Sequence, residues 1–186
     1  MKKVGVLALQ GDFESHQKAL QRLGADVVQV RTPEELARVQ GLVIPGGEST
    51  TMLRLLRTSG LFEPLKEFAK TNPIFGTCAG SIILASEVYN PQQESLGIVD
   101  VGVLRNGYGR QLDSCITKIP SELGGGELEA VFIRAPIIQK VGEGVKVLAT
   151  YNGDPVLVEE GKHMLSTFHP ELTADARVHE RFLSKV

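Results

Sequence analysis

The sequence predicts an α/β fold. It is a three-layer sandwich in which helices cover both faces of a mostly parallel central sheet with antiparallel strands at one edge, in a single domain over residues 1–186. Two observations carry this prediction. Through residue 88, short apolar runs alternate with helix-patterned segments, as parallel strands joined by crossover helices do. Beyond it, strand-like segments follow one another across turns with little helix between them, the pattern of antiparallel pairing.

The elements follow in order. "KVGVLAL" reads as a strand, and "DFESHQKALQRLG" as an amphipathic helix closed by Gly24. "DVVQV" is a strand, "TPEELARV" a short helix with Thr32 as N-cap and Pro33 at its first position, and "GLVIP" a strand. The turn "GGEST" leads into helices through "TMLRLLRTSG" and "LFEPLKEFAK", then a strand "IFGT" and a helix "AGSIILASEV". In the second half "VDVGVLR", "SCITKIP", "EAVFIRAP", "VKVLATY", "DPVLVEEG" and "KHMLSTFH" read as strands, with "NGDP" a hairpin turn and "LGGGELE" a loop. "TADARVHERFLSKV" returns to helix.

Composition narrows the function classes. A net charge of −2 argues against a nucleic-acid partner, and no apolar run approaches the roughly 18 residues of a membrane span. The basic start "MKK" leads into an apolar run that stops at Leu9 with no small-residue cleavage site, so it reads as a first strand. Two cysteines make a poor disulfide framework, and a reduced, cytoplasmic compartment is expected.

The segment Gly76-Thr77-Cys78-Ala79-Gly80, between a strand and a helix, has the form of a nucleophile elbow with Cys in place of Ser. So sharp a turn strains its central residue, and side chains on either flank would collide. The thiol then sits above the carboxyl edge of the sheet at a helix N-terminus, where negative charge is favoured, and the Ala79 N–H points to where an oxyanion would form. The alternative is that the glycines only let a buried Cys pack.

A nucleophile needs a base. His169, in "STFHPEL", is held extended by Pro170, and Glu171 can turn back onto one ring nitrogen. His16 and His179 lie within predicted helices and His163 at a turn or strand start, where packed or solvated roles are expected. Cys115 reads as core, and no Cys/His set has metal-ligand spacing, so neither metal nor cofactor is expected. At "VIPGGESTT" the glycines can expose backbone N–H groups to an anion, Gly47 supplying a second oxyanion donor, or else form a plain turn with Ser49 or Thr50 as N-cap. Glu48 there suits a substrate ammonium. Arg105 and Arg134, at strand ends, suit a substrate carboxylate or a purely structural role.

A Cys elbow, a GGES turn and a terminal HPE together resemble class I glutamine amidotransferases. "LALQGD", "PGGESTT", "FGTCAG", "RNGYGRQ", "FIRAP" and "FHPELT" occur in the order seen in glutaminase subunits of pyridoxal 5′-phosphate synthases, across nearly the whole chain. The resemblance implies a flavodoxin-like sheet, Cys78 as nucleophile, His169 as base and Glu171 as orienting acid. It also implies an oxyanion hole at Gly47 and Ala79, and a glutamine pocket at Gly47, Glu48, Ser49, Arg105, Ile133 and Arg134. Ammonia would pass to a separate (β/α)8 synthase subunit. Ser15, Gly107-Tyr108 and Cys115 depart from the usual pattern without touching the triad. A glutaminase serving another synthase, such as one in histidine biosynthesis, a cysteine peptidase or deglycase, and a non-enzymatic binding module remain as alternatives.

Overall fold

The computed structural model describes residues 1–105 and 114–186. The first half runs β1 (Lys3–Leu7), α1 (Phe13–Arg22), β2 (Asp26–Val30), α2 (Pro33–Leu36), β3 (Gly41–Ile44), α3 (Ser49–Thr58), α4 (Phe62–Ala69), β4 (Ile74–Thr77) and α5 (Ala79–Leu84). The second runs β5 (Ala85–Tyr89), β6 (Val99–Leu104), β7 (Ser114–Ile119), β8 (Leu128–Ile133), β9 (Ile137–Val141), β10 (Lys146–Tyr151), β11 (Asp154–Glu160) and β12 (His163–Ser166). A 3-10 turn (Pro170–Leu172) and α6 (Arg177–Leu183) close the chain.

The central sheet has seven strands in the order β10-β11-β12-β4-β3-β1-β2. The five from β12 to β2 are parallel, and β11 and β10 complete one edge antiparallel. The parallel set is a doubly wound order that reverses direction next to β1, and ligands bind at the carboxyl ends of strands in such sheets. Each strand feeds two cores. Leu42 and Ile44 of β3 face one and Val43 the other, and β4 divides Ile74 from Phe75 in the same way. Met52, Leu56, Leu65 and Ile83 of α3, α4 and α5 fill the first core, and Leu20, Val178 and Phe182 of α1 and α6 the second. Because both faces are covered, these strands read as unbroken apolar runs rather than alternating ones.

Local signals behave as expected. Thr32 caps α2 by accepting from the Glu35 N–H at 3.2 Å. Asn152 and Gly153, both at positive φ, form the two-residue turn between β10 and β11.

Three expectations need correction. The helix after Cys78 does not reach Val88. Ala85 is extended, and Ala85–Tyr89 pairs in parallel with β6, so tertiary pairing overrides a pattern that reads as helix. The strand β9 has no sequence signal, because Ile138 is its only buried residue, and it pairs antiparallel with β6. Finally, β5-β6-β9 and β7-β8 form two small separate sheets rather than extending the edge of the central one. Among the described residues no helix is long and apolar enough to cross a membrane.

The seat of α5 on β3 is tight. A Cβ on Gly80 would stand 2.2 Å from the Ile44 carbonyl oxygen. Gly80→Ala is therefore expected to destabilise the fold by about 1–3 kcal/mol, read as a lower urea midpoint. An unchanged midpoint would show that α5 is not seated this closely.

Candidate active site

The end of β4 makes an abrupt turn into α5. Cys78 stands between them at φ 50° and ψ −108°, a left-handed conformation that costs a non-glycine residue about 1–3 kcal/mol. Hydrogen bonds hold it there. Its N–H donates to the Ser166 carbonyl at 2.8 Å, and its own carbonyl accepts from the Ser81 N–H at 3.0 Å and the Ser81 hydroxyl at 2.6 Å. The flanking glycines interlock, since a Cβ on Gly76 would stand 2.5 Å from the Gly80 carbonyl oxygen. Ala79 opens α5, so its N–H has no acceptor within the helix.

His169 follows the neighbouring strand, β12. Its N–H donates to the Val131 carbonyl at 2.8 Å, and its Nδ1 lies 2.5 Å from Glu171 Oε1. The imidazole stands beside Cys78, since a Cβ on Gly46 would meet both His169 Cε1, at 2.7 Å, and Cys78 Cβ, at 3.4 Å, and this brings Cys78, His169 and Glu171 together. Burial works to lower the His169 pKa, but its interactions with Cys78 and Glu171 outweigh it and push the group up to about 10. The pair is nearly closed to solvent, each residue being 8% exposed. The Cys78 sulfur also lies 3.8 Å from the Ile133 carbonyl oxygen.

The GGES turn forms the adjoining wall. Gly47 is at φ 147°, and the space a side chain would take is filled by the Gln10 amide, whose oxygen accepts from the Glu48 N–H at 3.3 Å. The N-cap of α3 is Glu48, not Ser49 or Thr50. Its carboxylate accepts from the Thr50 and Thr51 N–H groups at 3.1 and 2.6 Å and from the Thr50 hydroxyl, a longer side chain reaching back over the helix end. Those hydrogen bonds from Thr50 and Thr51 hold it down to about 2.

Arg105 reaches the same carboxylate at 3.2 Å with one Nη and donates to Gln93 Oε1 at 2.7 Å with the other. Ser49 Oγ donates to that amide oxygen at 3.3 Å. Gln93 thus ties two expected pocket residues, Ser49 and Arg105, together. Arg134, at φ 44° just after β8, is exposed and joins no ion pair among the described residues. Gly107 and Tyr108 lie outside the described residues.

Two other residues, for which the sequence led to packed or solvated roles, lie directly behind Cys78, His169 and Glu171. His16 Nε2 is 3.2 Å from Glu171 Oε2 and 3.1 Å from Thr77 Oγ1, and its Nδ1 is 2.9 Å from His179 Nε2. The available signal was a polar His16 one turn before Leu20 on the apolar face of α1. His163 accepts from the Ile74 N–H at 3.1 Å, a structural role, and Cys115 packs against the second core.

A model of the SNO glutamine amidotransferase family matches residues 6–186. The chain is 58% identical over 192 residues to a pyridoxal 5′-phosphate synthase subunit PdxT of Solibacter usitatus, covering 100% of each. It is 52% identical to one from Thermosipho africanus, covering 99% of this chain and 98% of the relative. A solved structure described as a glutamine amidotransferase superposes with a TM-score of 0.92 at 46% identity, covering 98% of this chain and 97% of the other.

The buried histidines make stability depend on pH. Burial holds His179 down to about 4, against an ordinary value of 6.5. Between those values the unfolded chain binds a proton that the folded chain does not. Stability from this source is therefore complete above pH 6.5 and lost as the pH falls to about 4. Urea titrations at pH 7.5 and pH 4.5 should show a smaller difference for His179→Gln than for wild type, by up to about 3 kcal/mol.

Proposed function

Because the chain belongs to the SNO glutamine amidotransferase family, we propose that it is the glutaminase subunit of a pyridoxal 5′-phosphate synthase. It hydrolyses L-glutamine to L-glutamate and ammonia. The observation that carries this reading is the strained Cys78 at the end of β4, set beside His169, whose Nδ1 meets Glu171.

The chemistry is acyl transfer. Cys78 attacks the side-chain amide carbon of glutamine as the thiolate, its proton already held by His169, and the N–H groups of Gly47 and Ala79 stabilise the oxyanion that forms. A His169 titrating at about 10 holds its proton at neutral pH, so it can protonate the departing ammonia as the carbon–nitrogen bond breaks. The imidazole, now neutral, takes a proton from water as the hydroxyl adds to the thioester, and glutamate leaves with the sulfur restored. Glu171 holds the ring in place through both steps. Glu48 meets the substrate ammonium and Arg105 its carboxylate. Ser49, Ile133 and Arg134 complete the pocket.

Relatives named as synthase subunits support a separate partner. In this reading it is a (β/α)8 synthase subunit that receives the ammonia through a channel, in the cytoplasm. The Gly46-Gly47 peptide is held with its carbonyl against Gly11, where a Cβ would stand 1.8 Å from the oxygen. Docking of the synthase turns this peptide to complete the oxyanion hole.

Glutamate release tests the reading. It should rise when a pyridoxal 5′-phosphate synthase subunit is added and fall at least about a thousandfold in Cys78→Ala. No release in a proven complex would refute the glutaminase assignment. Gln93→Ala should raise KM about threefold to tenfold, since it frees Arg105 and Ser49 without touching the triad, and an unchanged KM would remove Arg105 from the pocket.

A further inference from the structure

Behind the triad lies a sealed layer of polar side chains that the mechanism above does not use. His16 of α1 and His179 of α6 are 0% and 1% exposed, and a buried polar group is costly unless it is paired. The pairing here is specific. Thr77 immediately precedes the nucleophile and Glu171 partners the base, so the His16 imidazole touches both limbs of the triad at once. Glu171 Oε1 is occupied by His169, whereas Oε2 is buried with no hydrogen bond of its own and has His16 Nε2 at 3.2 Å.

The tautomers follow from the chemistry of the partners. A bare ring nitrogen would turn its lone pair on the carboxylate oxygen 3.2 Å away, so Nε2 carries the proton and shares it with Thr77 Oγ1. His16 is then Nε2–H, accepts at Nδ1, and receives its hydrogen bond from the Nε2–H of His179. Burial holds both histidines below their ordinary range, so both are neutral at neutral pH. The titratable groups facing His16 are His179 from α6, and His169 and Glu171 from the segment after β12. From β4 come Thr77 and the Phe75 ring, edge-on to both imidazoles. Among the described residues no group of three acidic, His or Cys side chains is arranged to hold a metal.

We propose that His16 is a positioning residue for amide hydrolysis. Its Nε2–H is bonded to Thr77 Oγ1 and lies against Glu171 Oε2 at 3.2 Å, so that Oε1 stays on His169 Nδ1 and the imidazole stays beside Cys78, with His179 selecting the tautomer. This rests on the glutaminase reading. Misplacing a reacting group by about 1 Å costs about a hundredfold in rate, which is the scale on which such support matters.

Glutamine and asparagine separate the two contacts of His16. The amide nitrogen of Gln reaches the place of Nε2, and that of Asn the place of Nδ1. In the complex with the synthase subunit, His16→Gln should keep kcat within about threefold of wild type. His16→Asn should lose about tenfold to a hundredfold in kcat with little change in KM. NMR of the chain should show His169 titrating at about 10 in wild type and close to that in His16→Gln, but lower in His16→Asn. Equal kcat in the two folded variants, with the same His169 titration, would overturn the proposal.

If His16→Asn does not fold, His179→Phe replaces it, since it keeps the packing on Phe75 and removes the tautomer control. A lower kcat there supports the proposal and a wild-type kcat overturns it. A wild type that releases no glutamate in a proven complex removes the glutaminase reading, and the His169 titrations then still decide whether His16 positions the base.

Discussion

The contact on which the site depends is the approach of α5 to the sheet through glycine. With Gly80 against the Ile44 carbonyl and Gly76 against Gly80, β4 can turn into a helix without an intervening loop. The only conformation left to Cys78 is a strained one. Its cost, about 1–3 kcal/mol, is offset by hydrogen bonds to Ser166 on the neighbouring strand and to Ser81 within α5. The same closeness brings the β3 turn against His169, so three strand ends converge on one sulfur. Thr77 N-terminal to the thiol and Ala79 C-terminal to it are fixed by the same fit.

Burial alone does not decide the charge of the histidines in this region. His16, His169 and His179 are all largely withdrawn from water, and in each case desolvation favours the neutral ring. His169 departs from the other two because the Glu171 carboxylate and the Cys78 sulfur both favour its protonated ring. His179 meets only another imidazole, and His16 shares its carboxylate neighbour with a hydroxyl. One compact volume thus holds a proton at its reacting end and excludes protons one layer deeper.

The parts of this arrangement that were legible in the sequence are those carried by adjacent residues. The elbow glycines, the His-Pro-Glu segment and the Thr32 cap each state a local geometry. The first half of the fold was readable because alternating runs and caps agree with the tertiary structure. Where they disagree, the sequence misleads. Ala85–Tyr89 follows helix-forming residues without a break, and only pairing with β6 makes it a strand. The single buried residue of β9 leaves no period to detect. Gln93 was invisible because its meaning lies in two residues, Ser49 and Arg105, that are distant along the chain. His16 was visible as a polar residue on an apolar helix face, but its partner Glu171 follows β12, far along the chain.

Glu48 is both the cap of α3 and the carboxylate that Arg105 meets. A side chain so employed has already given up its rotational freedom during folding. A cation arriving beside it pays no further entropy to order that carboxylate, and its removal would loosen the start of the helix as well as the pocket. The helix end and the ion pair with Arg105 therefore share one set of atoms, which makes the residue hard to exchange for another acid of different length.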